Sequence, residues 1–94
     1  MTNEEMLDYV AESVRRIRNA KNLSQFDLSV RANMSQSFLA NIETGKKEPS
    51  AMTLIRIARA LGVSPREFFP DAGATAVDVK QEIKNEIIAL LGKL

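Results

Sequence analysis

The sequence predicts an all-α protein: five short helices around one core, followed by a separate amphipathic helix at the C-terminus. Three observations predict it. Apolar residues recur at intervals of three and four through most of the chain, the repeat of a helix face. Ser24, Ser35, Ser50 and Ser64 each stand just before such a run, where a hydroxyl caps orphan N–H groups. No period-two alternation is long enough to make a convincing strand.

The elements follow in order. Thr2 or Asn3 can cap a first helix, with Glu4 and Glu5 favourable in its first turn. Leu7, Val10, Val14 and Ile17 form its buried face, which runs to about Ala20. Lys21-Asn22-Leu23 breaks it, Asn22 being able to take a left-handed conformation. Ser24 opens a short second helix over about 24–31, with Leu28 and Ala32 pointing inward and Phe26 or Val30 closing the sides. Asn33-Met34 is a tight turn, and Ser35 caps a third helix over about 35–43 with Phe38, Leu39 and Ile42 as its apolar stripe. Gly45 and Pro49 end it. Ser50 caps a fourth helix that buries Leu54, Ile57, Ala58 and Leu61 and stops at Gly62. Ser64-Pro65-Arg66-Glu67 has the cap, first-turn proline and glutamate of a fifth helix start, with Phe68 and Phe69 packed against the core. These elements make a domain over residues 1–70. Residues 71–75 are small and flexible and read as a linker. Residues 76–94 read as the final helix, with Val79, Ile83, Ile87, Leu90 and Leu94 on one stripe.

Composition narrows the function. Ninety-four residues without cysteine or histidine exclude disulfides, the usual zinc sites and nucleophile–histidine catalysis. No phosphate loop or paired catalytic constellation is present, so an enzyme is not expected and no cofactor is implied. The aromatics are Tyr9, Phe26, Phe38, Phe68 and Phe69, too few for a platform that stacks single-stranded bases. No apolar run is long enough to cross a bilayer, and the acidic N-terminus is the opposite of a signal peptide. The expectation is a cytoplasmic protein with no membrane partner. The net charge of +1 is unevenly spread. Residues 1–14 carry four acids and no cation, whereas residues 15–59 carry nine cations against three acids. A polyanion would bind to this basic middle.

The informative stretch is Leu23 to Gly45, LSQFDLSVRANMSQSFLANIETG. Two short helices meet across a tight turn; the first can cross a DNA backbone and the second can enter the major groove. The run LSQ, then Leu28, a turn, SQS and a closing Ile42-Glu43-x-Gly45 resembles the helix-turn-helix of lambdoid phage repressors and Cro proteins. This is the XRE family, which includes restriction–modification controller proteins and many antitoxins. PSAMTLIRIARALGVSPREFF resembles the family's fourth and fifth helices. The resemblance covers about residues 8–70 and not the C-terminal helix. Two residues depart from the pattern: Ser29 stands where a small alanine is usual, and Asn33 where glycine is usual.

The resemblance implies roles residue by residue. Base-reading side chains would be Gln36, Ser37 and Asn41, with Ser35 beside the backbone. Their chemistry agrees, because Gln and Asn offer the adjacent donor and acceptor that adenine N6 and N7 require. No arginine stands on that face, so readout should lean on adenine or thymine contacts, on DNA shape, or on residues beyond the helix. Phosphate contacts would come from Ser24, Gln25 and Ser35, with Lys46, Lys47 and Arg15 as further candidates. An arginine near the end of the first helix pairs in this family with a glutamate near the end of the third, which implies a structural ion pair between Arg18 and Glu43.

The C-terminal stripe has two readings. It can pack on its own domain, or it can meet a symmetry mate and bury its apolar face in a dimer; the second is favoured, because reading a palindrome takes two recognition helices one DNA turn apart. The expected function is a transcriptional regulator, a repressor by expectation, that binds double-stranded DNA as a homodimer at a palindromic operator. The alternatives are an antitoxin that binds a protein toxin and represses its own operon, and an interaction protein that has lost DNA binding.

Overall fold

A capping box starts the first helix, α1 (Asn3–Ala20). In the computed structural model, which describes residues 1–70, the Thr2 hydroxyl accepts the Glu5 backbone N–H at 3.1 Å, and the Glu5 carboxylate reaches back to the Thr2 N–H. Asn22, at φ 58°, turns the chain into α2 (Gln25–Arg31). Asn33, at φ 57°, turns it again into α3 (Gln36–Glu43). Both asparagines take the left-handed conformation that this side chain tolerates better than most. Ser24, Ser35 and Ser50 each cap the following helix by accepting the N–H three residues on, at 3.0–3.1 Å. Gly62, at φ 71°, ends α4 (Ala51–Leu61).

The expected fifth helix is a single 3-10 turn, Pro65–Phe68. The Ser64 hydroxyl accepts from the Arg66 N–H at 3.3 Å, so the box to Glu67 does not form. Phe69 is extended, at φ −104° and ψ 148°. Pro70 explains this, since a residue before proline is pushed out of the helical region.

One core joins all five elements. Val10, Val14 and Ile17 of α1 meet Leu28 and Ala32 of α2, Leu39 and Ile42 of α3, Leu54, Ile57, Ala58 and Leu61 of α4, and Phe68. The larger side chains each contribute roughly 1.5–3 kcal/mol on full burial. α1 lies against α3, α4 and the 3-10 turn, while α2 packs on α3 and α4. The helix-turn-helix pair is thus supported from behind by the rest of the domain.

Three expected core positions are corrected. Phe26 and Val30 are 59% and 61% exposed, and Phe69 is 44% exposed. α2 is seven residues long and buries one side only, with Leu28, Ser29 and Ala32 inward. Phe26 and Val30 lie four apart on the opposite side. Ser29 can be the inward residue because its hydroxyl donates to the Phe26 carbonyl at 2.7 Å, which removes the cost of burying it. Phe69 turns outward with the extended backbone that Pro70 imposes. The linker 71–75 and the helix 76–94, including Val79, Ile83, Ile87, Leu90 and Leu94, lie outside the described residues.

Candidate nucleic-acid interface

α3 presents two unlike faces. Leu39 and Ile42 are completely buried, and Phe38 is half-buried beside them. Ser35, Gln36, Ser37 and Asn41 are all exposed. The apolar periodicity of the helix therefore turns the polar side chains outward, where the amides of Gln36 and Asn41 are free to meet a base edge. The Ser35 oxygen accepts the Phe38 N–H at 3.1 Å. Its own hydroxyl proton remains available, so one residue can close the helix and donate to an outside acceptor. Ser24 has the same arrangement at α2, accepting from the Asp27 N–H at 3.0 Å.

The far end of α3 is held by charge. Glu43 is 2% exposed. Arg18 Nε donates to its Oε2 at 2.7 Å, and Arg18 Nη2 donates to its Oε1 at 2.9 Å. This two-point geometry is the strong form of the arginine–carboxylate pair. Arg18 Nη1 donates to the Leu23 carbonyl at 2.8 Å. One guanidinium thus ties the end of α1, the turn before α2 and the end of α3. Among the described residues no buried side-chain polar atom lacks a partner, the condition under which a buried pair is tolerated.

Gln25 belongs to the same network. Its Nε2 donates to Glu43 Oε1 at 3.2 Å, and the residue is half-buried. The resemblance implied only a phosphate contact here, and nothing in the sequence pattern announced the link to Glu43. The bond uses one of two amide protons, and among the described residues the other is uncommitted.

The segment after α3 folds back on the helix. The Asn41 carbonyl accepts the backbone N–H groups of Lys46 and Lys47, at 2.9 and 3.1 Å. The Thr44 hydroxyl donates to the Ala40 carbonyl at 2.9 Å. Both lysines are exposed, but they are not equivalent. Lys47 Nζ sits 5.2 Å from the centre of the Phe38 ring, a cation–π contact that holds this charge beside α3. Gly45 makes the turn at φ 74°, with Asp8 Oδ1 of α1 only 2.9 Å from where a β-carbon would sit. Arg15 is exposed on α1, three residues before Arg18. α3 and its flanks therefore carry amides, hydroxyls and ammonium groups and no exposed acid between Gln36 and Lys47.

Known proteins resemble this chain over its helical body. A helix-turn-helix family model, HTH_3, matches residues 14–68. The chain is 37% identical over 60 residues to an uncharacterised HTH-type transcriptional regulator, y4dJ, of Sinorhizobium fredii, covering 64% of this chain and 78% of that one. It is 41% identical over 54 residues to the immunity repressor protein of Bacillus phage phi105, covering 57% of this chain and 38% of the repressor. The crystal structure of the restriction–modification controller protein C.AhdI from Aeromonas hydrophila superposes with a TM-score of 0.66 at 32% identity, covering 67% of this chain and 96% of that one.

Proposed function

This chain belongs to the helix-turn-helix family HTH_3, whose members are DNA-binding transcriptional regulators and not enzymes, and on that premise we propose a sequence-specific repressor that binds a palindromic operator as a homodimer. The observation that carries the reading is the division of α3, whose polar face is free while its far end is fixed by the Arg18–Glu43 pair. A rod held in this way can reach base edges in the major groove without being reordered on binding, which spares the entropy of fixing it.

Gln36, Ser37 and Asn41 would touch bases, with Gln36 or Asn41 taking the N6 and N7 of adenine. Ser24, Gln25 and Ser35 would hold phosphates through their free protons. Lys46 and Arg15 would add cations that have no acidic partner among the described residues, and Lys47 a cation already braced on Phe38. Repression is supported by the similarity to a phage immunity repressor. Dimerisation is supported by the geometry of operator reading, which asks for two recognition helices about 34 Å apart, and by the apolar stripe of Val79, Ile83, Ile87, Leu90 and Leu94 in the sequence.

Selection of bound sequences from a random duplex pool tests the proposal. A two-fold symmetric site with half-site centres about 10–10.5 base pairs apart is the expected result. Failure to enrich any motif would remove sequence-specific recognition, and a single asymmetric half-site would remove the homodimer.

A further inference from the structure

A groove of about 400 Å³ lies between the first half of α1, the segment before α4, α4 itself and Phe69. Its apolar lining comes from Met6, Leu7 and Val10 of α1, Pro49, Leu54 of α4, and Phe69. Met6 is 40% and Phe69 44% exposed, so two large apolar side chains face water at its rim. Glu4 and Glu48 also line it, and among the described residues its lining includes no cation. The reading of this chain as a DNA-binding domain gives the groove no task.

We propose that this groove receives the apolar stripe of residues 76–94 from a second copy of the chain, so that two protomers exchange C-terminal arms across a two-fold axis. The inference rests on the homodimer reading and says where that dimer is made. Four features support it. The chain leaves the described residues at Pro70, next to Phe69 in the groove wall. The five residues 71–75 can span up to about 17 Å, and a helix of the following nineteen residues would be about 28 Å long, long enough to reach a neighbouring protomer. The stripe is aliphatic throughout, and Lys80 and Lys84 flank it on one side at helical spacing, which complements Glu4 and Glu48.

The fourth feature decides between copies. If the stripe lay in its own groove, the most exposed large apolar side chains left on the helices for a dimer contact would be Phe26, Val30 and Met52. Phe26 and Val30 share α2 with the proposed phosphate contacts at its start, so a dimer made there would crowd the DNA-facing side. Arm exchange instead uses the same self-complementary contact twice, as two-fold symmetry requires.

The chain lacks cysteine, which makes a cross-linking test clean. Met6→Cys is combined in turn with Val79→Cys, Ile83→Cys, Ile87→Cys and Leu90→Cys in the full chain, and each variant is treated with a short bismaleimide. Peptide mapping identifies the joined positions, and sedimentation measures the oligomeric state in parallel. The expected result is a covalent dimer joined between position 6 of one chain and a stripe position of the other. A position-6-to-stripe link within a monomer overturns the exchange in favour of packing on the same chain. Stripe-to-stripe links alone, or no link in a chain that still sediments as a dimer, overturn this site and leave the dimer standing. A monomer in sedimentation removes the dimer reading itself. Phe69→Asp, at a position 44% exposed and outside the buried core cluster, is expected to weaken dimerisation about tenfold or more at unchanged helix content; unchanged dimerisation overturns the site.

Discussion

The start and the end of α3 face opposite environments. Ser35, Gln36 and Ser37 are exposed, and among the described residues their side-chain polar atoms make one capping bond only. Seven residues after Gln36, Glu43 is sealed from solvent and bonded to Arg18 and Gln25. The contrast separates two conditions within one short helix: the first turn is open to a partner, and the last turn is held by the rest of the domain. An eight-residue helix has little stability of its own, so the rigidity has to come from outside it.

Five variants, four single and one double, break or sharpen this contrast. The largest effect is expected at the anchored end. Glu43→Ala leaves the Arg18 guanidinium without its carboxylate and should cost about 3–5 kcal/mol of folding stability, read by urea denaturation; a loss below about 1 kcal/mol would show that the end is not anchored by this pair. The double variant Arg18→Met, Glu43→Leu should recover most of the loss, because a matched apolar pair leaves no buried charge. At the free end, Gln36→Ala should cost roughly 1–3 kcal/mol of specific DNA binding and relax one base pair of the site, with the melting temperature unchanged. A change in melting temperature without a change in binding would reverse the two roles. Ser35→Ala comes next, at the cap of the free end. Loss of the cap should destabilise the fold by about 1 kcal/mol, measured in the absence of DNA. The smallest change belongs to Lys46→Ala, which should lower the slope of log affinity against log salt by about 0.9 and weaken all sequences alike. A sequence-selective loss would make Lys46 a reader instead.

The sequence-level reading went furthest where local chemistry decides the outcome. Each serine cap follows from a hydroxyl standing before an apolar run, and the two left-handed asparagines follow from the tolerance of that side chain for positive φ. The outward face of α3 was equally legible, since Leu39 and Ile42 leave only one side for Gln36 and Asn41. Legibility failed where tertiary contacts decide. Over seven residues of α2, Phe26 and Val30 compete with Leu28 and Ala32 for the inside, and the pattern alone does not choose. The choice depends on Ser29 being able to satisfy its hydroxyl on the Phe26 carbonyl. The fifth helix was overread because the cap, proline and glutamate of its start are genuine, while Pro70 five residues on limits it to one turn. The bond from Gln25 to Glu43 spans eighteen positions and leaves no trace in local spacing. The groove beside Phe69 joins α1, Pro49 and α4, three segments that meet only in the folded molecule.

The Arg18 fork has one more consequence, for substitution among related chains. Its three nitrogens each have a separate destination, two on Glu43 and one on the Leu23 carbonyl. Lysine would conserve the charge and lose the planar geometry that serves all three at once. A sequence carrying lysine at this position would look conservative in any charge-based comparison, yet the end of its third helix would swing on a looser joint.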